Sequence, residues 1–480
     1  MASPAPPIAE PQAPASLATL TDELLEEIFL LLETPTDLAR ASTACASFRR
    51  IITGRYFLRR FRAIHPPPLL GFAAYEGFHP AQPRHSSAPL GDALTRAADF
   101  SYSFVPTGSW NTPWHPRDVR QGRVLLECTP ECDPAFEFYD VVFLRDLELA
   151  VCDPLSRRYV LLPPVRDELR AEHEPLFNFG LFFAPTSEDE ETTFRVVCMA
   201  CNKAMLVAFV FSSITGQWHI PAYFSWNSLG NVTPYSRYSS SYLDYEQGCF
   251  YWMVPWRDKL LVVDALNLEV SIVNKNLTGY HMRDSGQPLI LAGRDGTPEV
   301  FFLTDFFGDG PTDVVRITKQ NDGGSLDEWN FENTISLLSQ YKFFTLGAAE
   351  GLLFLRGVLQ DQNSGYSSEE SLDNSAHYSA KYPDVEYFSL NVKTSELKRV
   401  CGMKRYFHSV YAYFGFPPPL AKPSICSGIN VLAFGASFWS FIWCLRGGME
   451  DSHAGAAFLL EGCTRALVIW YSPKISYPAV

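Results

Sequence analysis

Residues 149–164 read LAVCDPLSRRYVLLPP: an apolar strand, a turn opened by a small polar residue, and a second apolar strand. The same order recurs in FVFSSITGQWHIPAY (209–223), LVVDALNLEVSIV (261–273) and YFSLNVKTSELKRV (387–400). The turns centre near residues 153, 212, 264 and 391, so the successive gaps are 59, 52 and 127 residues, the last being about two repeats. A period of about 50 residues is typical of β-propeller blades, which bury their faces against neighbouring blades.

A second recurring element is a glycine followed by an apolar strand. It appears as Gly122-RVLLE, Gly248-CFYWM and Gly351-LLFLR. Between about residues 119 and 420, short apolar runs alternate with Asp, Asn, Gly, Pro and Ser. Many short strands separated by turn residues favour a sandwich, a barrel or a propeller. The repeat favours the propeller among these, but it is too weak to give the number of blades.

The composition suits a folded protein with a large core. Of 480 residues, 47% are hydrophobic and 14% are aromatic, and aromatic side chains suit half-buried pleated surfaces. The formal net charge of −14 repels nucleic-acid phosphates. The N-terminal sequence MASPAPPIAEPQAP lacks the basic segment and apolar run of a secretory signal. We therefore expect a cytoplasmic or nuclear protein whose 11 cysteines are mostly reduced.

Changes in composition along the chain predict five parts. They are a disordered lead (1–16), a helical domain (17–64), a linker or lead-in to the next domain (65–118), a propeller-like domain (119–420) and an atypical tail (421–480). Within the propeller-like domain, the acidic, Ser-rich stretch 361–384 is predicted to be a disordered insertion. The tail holds an uncharged run of 15 residues at 431–445, which is shorter than the roughly 20 that a membrane helix needs. The run can be an extra buried strand, a membrane-adjacent segment or sequence from an alternative transcript end, and membrane association of the protein is not expected.

The helical domain begins with LTDELLEEIFLLLE at 20–33, which predicts an amphipathic helix. Thr21 is placed to cap this helix, Pro35 is expected to end it, and Thr36 or Asp37 to cap a second. Apolar residues then continue along the first helix, a second helix and a third, Arg-rich segment. They are Leu24, Leu25, Ile28, Phe29, Leu32, Leu38, Ala41, Cys45, Phe48, Ile51, Ile52, Phe57 and Phe61. Three helices in so few residues expose more apolar surface than they can bury, which predicts a partner protein.

This helical segment resembles an F-box. The family pattern is a leucine-led start, an acidic turn, a double-leucine helix ending before a proline, then a leucine, a cysteine and an aromatic residue followed by Arg-Arg-Ile. Here these positions are Leu20, Asp22, Leu24, Leu25, Ile28, Leu32, Pro35, Leu38, Cys45, Phe48, Arg49, Arg50 and Ile51. Two positions depart from the pattern, since Thr21 stands where the family usually has Pro and Phe48 where Trp is commoner. A capping Thr can replace a Pro that pre-sets the first helical turn.

The β-region resembles the C-terminal domain of the large grass F-box families of plants. The typical strings are CDPLSRRYVLLPP (152–164), the Ser-Ser-x-Thr-Gly-x-Trp turn (212–218), SLNVKTSELKRV (389–400) and VYAYFGFPPPL (410–420). The resemblance thus covers about residues 20–420. It implies an α+β multidomain fold, with a small all-α F-box followed by an all-β, propeller-like domain.

The resemblance also implies a function, the substrate-recognition adaptor of an SCF-type (Skp–cullin–F-box) ubiquitin ligase. The helices would dock on a Skp-type adaptor that bridges to cullin and RING subunits, and the β-domain would hold an unknown target protein. The chain itself would be no enzyme and would need neither a cofactor nor a metal. The implied adaptor-binding residues are Leu20, Leu24, Leu25, Ile28, Phe29, Leu32, Pro35, Leu38, Cys45, Phe48 and Ile51.

Other interpretations stay open. The helices can be a packed cap without a partner, so that the propeller is a scaffold outside any ligase, or the propeller can be an enzyme whose loop-built site leaves no short motif. Cys198 and Cys201 lack a second ligand pair at zinc-site spacing, and alternation along a strand sends their thiols to opposite faces. The arginines of the helical domain are expected to be balanced by acids of the chain or of a partner, rather than by nucleic acid.

Overall fold

The structure, a computed structural model, describes most of the chain. The described residues are 20–33, 35–130, 144–165, 176–184, 193–229, 244–246, 249–254, 259–264, 267, 269–274, 289–292, 298–304, 312–319, 329–360, 385–403 and 410–415. The predicted disordered lead, the predicted insertion at 361–384 and the tail, with its apolar run, lie outside them. The chain divides into two compact units, Met1–Pro67 and Pro68–Val480.

The first unit contains four helices in its described part, one more than expected. They are α1 (Asp22–Leu30), α2 (Pro35–Ala44), α3 (Ala46–Ile52) and α4 (Arg55–Ile64). The predicted second helix is broken at Cys45, whose backbone is extended and whose Sγ accepts a hydrogen bond from the Phe48 N–H at 3.5 Å. Cys45 therefore caps α3 instead of continuing α2.

The helix ends also differ from the sequence expectation. Thr21 occupies the N-cap position of α1 in extended backbone, but its side chain makes no capping hydrogen bond. Pro35 opens α2 rather than closing α1, which already ends at Leu30, so Thr36 and Asp37 lie inside α2. A proline suits the first helical position because its missing N–H has no partner there and its φ is already helical.

The second unit begins with β1 (Leu69–Ala74), β2 (Gly77–Pro80) and α5 (Ala88–Ala97). Five antiparallel sheets of four consecutive strands follow in its described part, in a propeller arrangement. Blade 1 contains β3 (His115–Arg120), β4 (Arg123–Cys128), β5 (Glu148–Asp153) and β6 (Arg158–Leu161), and blade 2 contains β7 (Phe177–Ala184), β8 (Arg195–Cys201), β9 (Met205–Ser212) and β10 (Gln217–Ser225). Blade 3 contains β11 (Asp244–Glu246), β12 (Cys249–Val254), β13 (Lys259–Asp264) and β14 (Val270–Asn274).

Two further blades and one more strand complete the described part of the unit. Blade 4 contains β15 (Leu289–Ala292), β16 (Pro298–Thr304), β17 (Asp313–Lys319) and β18 (Trp329–Ser336), and blade 5 contains β19 (Tyr341–Ala349), β20 (Leu352–Leu359), β21 (Val385–Asn391) and β22 (Glu396–Met403). β23 (Val410–Phe414) then pairs with β1, giving a three-stranded closing sheet in the order β2-β1-β23. The predicted propeller-like architecture is confirmed.

Of the two alternatives for the segment 65–118, a linker or a lead-in to the next domain, the structure agrees with the second, because the segment supplies β1, β2, α5 and the start of β3 to the second unit. Its prolines and glycines, which suggested a linker, lie among short strands and turns. β1 is buried at all six positions, so it shows no alternation of apolar and polar residues. Its partner, β23, comes after all five blades in the sequence, so local sequence patterns do not reveal that the two strands pair.

The repeat seen in the sequence is the hairpin between the third and fourth strands of a blade. Its small polar residues, Asp153, Ser212, Asp264 and Asn391, each accept a backbone N–H from two or three residues further on, at 2.9 to 3.3 Å. Such side-chain turns redirect the chain without a partner from elsewhere. The double gap before Asn391 contains blade 4, whose corresponding connection at 320–328 lies outside the described residues.

The core consists of apolar layers between neighbouring sheets. Cys198 lies in the layer that blades 1 and 2 share, whereas Cys201 packs against the layer between blades 2 and 3. The two thiols thus face opposite sides of β8, as predicted, and burial raises the pKa of each to about 12. Among the described residues, no cluster of three or more His, Cys, Asp or Glu side chains is arranged to hold a metal ion. None of the helices described is both long and apolar enough to cross a bilayer.

Candidate protein-docking surfaces

The apolar residues of α1, together with Leu31 directly after it, lie on two different sides of the helix. Leu25 and Phe29 point into the unit and are 4% and 5% exposed. Leu24, Ile28 and Leu31 point outward and are 53%, 39% and 78% exposed. Spacings of i, i+4 and i+7 place these three on one line along the helix. We call Leu24, Ile28 and Leu31 the α1 stripe.

The predicted adaptor-binding residues are therefore not on one surface. Leu24, Ile28 and Cys45 are exposed, Leu20, Leu32 and Phe48 are half-buried, and Leu25, Phe29, Leu38 and Ile51 are buried. Of Pro35 only the backbone is described. The sequence reasoning missed Leu31, although its position seven residues after Leu24 was a sufficient signal.

The inward side of α1 holds the helix in place through aromatic packing. The Phe29 ring lies edge-on to Phe48, with 5.0 Å between ring centroids, and to Phe57 at 6.5 Å. Phe57 in turn stacks on Phe61 at 6.0 Å. Aromatic pairs at these distances add about 0.5–1.5 kcal/mol each to the area that they bury. The helix that presents the α1 stripe is thus held in place by packed aromatic side chains.

Ion pairs tie α1 to α3 and α4. Arg50 binds Asp22 at 2.6 Å, and Arg60 binds Glu26 at 2.8 Å and Glu27 at 2.7 Å. These pairs are the intramolecular balancing that the sequence predicted for these arginines. Ion pairs near the surface contribute little free energy each, so they add only modestly to the packing that holds α1.

The far end of α1 is held by a histidine. The His65 Nε2 lies 2.8 Å from the carbonyl oxygen of Leu30, the last residue of α1, and the ring packs on Phe61 with centroids 4.4 Å apart.

At the start of α1, the Glu23 carboxylate accepts hydrogen bonds from the Glu23 backbone N–H and from the Thr21 side chain, and these lower the pKa of Glu23. The Thr21 side chain therefore interacts with Glu23 instead of capping the helix.

A second surface lies at one end of the propeller. In a propeller the first strands of the blades all run in the same direction along the central axis. The connections that lead into first strands and those that follow second strands therefore lie at the same end of the propeller. Large apolar side chains are exposed there at Tyr75, Trp110, Leu161, Leu338 and Leu359. Ile214 is exposed at the opposite end, in a hairpin turn.

The large aromatic side chains in and next to blade 2 differ in burial. Trp218 and Trp226 are buried, and their indole N–H groups donate to the carbonyls of Pro163 and Asn202 at 2.6 and 2.9 Å. Tyr223 is 69% exposed on the edge strand β10.

Tyr75 stacks on His115 at this end of the propeller, with 4.1 Å between ring centroids and 17° between planes. Burial, and then the charge of Arg117, lowers the pKa of His115 from 6.5 to about 4. The folded protein therefore holds the neutral imidazole at pH 7, while the unfolded chain titrates near 6.5.

A pH-dependent loss of stability follows from this depressed pKa. The contribution of His115 is fully present above pH 6.5 and is lost as the pH falls towards 4, because the unfolded state takes up the proton first. His115→Phe keeps the ring stack and removes the titration. The free energy of unfolding, measured by denaturant from pH 7 to 4.5, should fall less in this variant than in the wild type. His219→Phe, at an exposed position on β10, is the control, and parallel curves for His115→Phe would contradict the prediction.

No family model matches the sequence, and no curated protein matches it. Among solved structures, TolB from Acinetobacter baumannii is 12% identical, with a TM-score of 0.28 over 67% of this chain and 60% of TolB. The NanB sialidase from Streptococcus pneumoniae is 12% identical, with a TM-score of 0.29 over 45% of this chain and 33% of the sialidase. The β-propeller domain of the Trilobed protease from Pyrococcus furiosus is 10% identical, with a TM-score of 0.29 over 60% and 70%. This chain spans less than two thirds of the first two, and likeness at this level carries no argument about function.

Proposed function

We propose that the chain is the substrate-recognition adaptor of an SCF-type ubiquitin ligase, docking through its helices on a Skp-type adaptor and holding a target protein on its propeller. The observation that carries the proposal is the α1 stripe. Three large apolar side chains stand in line on the outer side of a helix whose inner side is already packed. Such a line of i, i+4 and i+7 anchors is the pattern by which a helix binds an apolar groove of a partner.

The F-box resemblance of residues 20–64 supports this choice of partner. On this proposal several pattern residues act indirectly, because Leu25, Phe29, Leu38 and Ile51 are buried and pack inside the unit. Direct contact is proposed for Leu24, Ile28 and Leu31, with half-buried Leu20, Leu32 and Phe48 at the margins. Burying one such side chain at an interface contributes about 1.5–3 kcal/mol.

The propeller supports the second half of the proposal. A rigid ring with exposed Tyr75, Trp110, Leu161, Leu338 and Leu359 at one end offers anchors of the kind that dominate protein interfaces. On this proposal the chain carries out no bond-making step itself. It raises the concentration of the target near the ubiquitin-conjugating enzyme, in the cytoplasm or nucleus.

The deciding experiment is co-purification of the full chain with a Skp-type adaptor, followed by addition of cullin and RING subunits. A stoichiometric complex that survives size-exclusion chromatography is the expected result. If the folded chain elutes without the adaptor, a propeller scaffold outside a ligase becomes the better interpretation. The departures from the F-box pattern at Thr21 and Phe48 would then be the first explanation to test for the lack of binding. Turnover of a small molecule by the isolated chain would instead favour the loop-built enzyme.

A further inference from the structure

The closing sheet joins the two ends of the propeller without a covalent link. β1 leads through β2 and α5 into blade 1, whereas β23 follows blade 5. The two strands pair antiparallel from Leu69 with Phe414 to Ala74 with Val410, and the Gly415 N–H donates to the Pro68 carbonyl at 2.9 Å. No segment of the chain connects β23 directly to β1. The ring can therefore open at this pairing when the contacts between the two strands break, while the connections between neighbouring sheets stay intact.

A side chain just after β2 crosses this junction on its outer side. The backbone N–H of Gln82 donates to the Val400 carbonyl of β22 at 2.7 Å. Its Oε1 accepts from the Gly402 N–H at 3.2 Å and from Arg399 Nη1 at 2.9 Å, and its Nε2 donates to the Gly402 carbonyl at 3.4 Å. The amide of one glutamine thus pairs with both peptide groups of Gly402, as a neighbouring strand would.

The edge of β22 is shaped for this contact. Its register against β21 slips between Tyr387 and Phe388, so Val400 has no partner in the ladder. The bulge turns the Val400 carbonyl away from β21, and this carbonyl accepts the hydrogen bond from the Gln82 N–H. Gly402 leaves the approach open, since a Cβ at that position would meet Arg399 Nη2 at 2.7 Å.

A polar chain continues from Gln82 into blade 5. Arg399 Nε donates to Glu386 Oε1 at 2.8 Å, and the Tyr341 hydroxyl donates to Glu386 Oε2 at 2.6 Å. Strands β19, β21 and β22 are therefore all linked to the segment after β2. Hydrogen bonds to charged groups of this kind are stronger than neutral ones, and a partly exposed network keeps part of that strength.

We infer that Gln82 is a clasp that keeps the propeller ring shut, acting with the β1–β23 pairing at the one place where the described chain closes on itself. The β1–β23 pairing holds the junction nearer the centre of the ring, and Gln82 holds the same junction on its outer side. Loss of the clasp leaves the blades intact and lets the closing sheet and the edge of β22 open more often. This inference is independent of the proposed ligase function.

Native-state hydrogen exchange tests the clasp on the full chain. Gln82→Ala should speed exchange about tenfold in peptides covering 69–82 and 396–415, while peptides from blades 1 and 2 keep their wild-type rates. Asn202→Ala is the matched control. Its side-chain oxygen also accepts two backbone N–H groups, from Ala204 and Met205, but within a single blade. This control should leave the junction peptides unchanged.

Two results would overturn the inference. One is unchanged exchange at the junction in Gln82→Ala, and the other is faster exchange spread evenly over all blades. If Gln82→Ala does not fold, the wild type in low urea gives the same answer. Its junction peptides should then begin to exchange at a lower urea concentration than those of blades 1 and 2. Exchange of all these peptides together would reject the clasp.

Discussion

The double substitution Leu24→Asp/Ile28→Asp should abolish binding of the chain to a Skp-type adaptor and leave the propeller folded. Leu24 and Ile28 are 53% and 39% exposed on the outer side of α1, so the folded unit loses little core packing. Losing two buried apolar contacts removes about 3–6 kcal/mol, which raises Kd roughly 100- to 10,000-fold, and burying two carboxylates adds to the loss. Isothermal titration calorimetry with purified adaptor measures the change.

The control for this variant is Ile214→Asp. Ile214 is also exposed, at 59%, but it lies in a hairpin turn of the propeller. It should bind the adaptor with the wild-type Kd. Near-wild-type affinity in the double variant, with helicity retained by circular dichroism, would exclude the α1 stripe as the docking surface.

The substitution Tyr413→Ala should cause the largest loss of stability in the propeller. Tyr413 in β23 is completely buried, its ring packs on Phe78 and Phe100, and its hydroxyl donates to the Gly122 carbonyl at 3.1 Å. Truncating a buried aromatic residue costs about 3–5 kcal/mol, and the buried Gly122 carbonyl also loses its partner. The free energy of unfolding, from urea titrations followed by fluorescence, gives the size of the effect.

Tyr223→Ala is the matched control, because it removes the same side chain from an exposed position on edge strand β10. Its effect should stay within about 0.5 kcal/mol. A similar loss in the two variants would mean that β23 does not close the ring in the way that its pairing with β1 indicates. A large loss in Tyr413→Ala alone would show that closure depends on this strand.

Local chemistry explains what could be predicted of the fold. Asp153, Asp264 and Asn391 turn the chain with their own side chains, so each hairpin can be recognised within a few residues of sequence. Strict alternation along β8 likewise placed Cys198 and Cys201 on opposite faces before any neighbour was known. The period between the turns then followed from blades of similar length.

The docking surface could be predicted only in outline. The sequence identified α1 and its apolar residues, but adjacent positions on a helix point 100° apart, so Leu24 and Leu25 cannot both face a partner. The packing of Phe29 against Phe48 and Phe57 decides which of them is buried. Leu31, the most exposed residue of the α1 stripe, follows Leu24 by seven residues, so its place on this surface could have been predicted from the spacing alone.

The repeating β-hairpins, the N-terminal helical segment and the chemistry of each turn follow from the sequence, because they depend on residues close together in the chain. The closure of the ring, in contrast, depends on tertiary contacts. The β1–β23 pairing and the contact of Gln82 with β22 join residues more than 300 positions apart, and nothing in β1 or around Gln82 marks its partner. Such contacts are selected by the summed packing of the whole ring, which has no local signature.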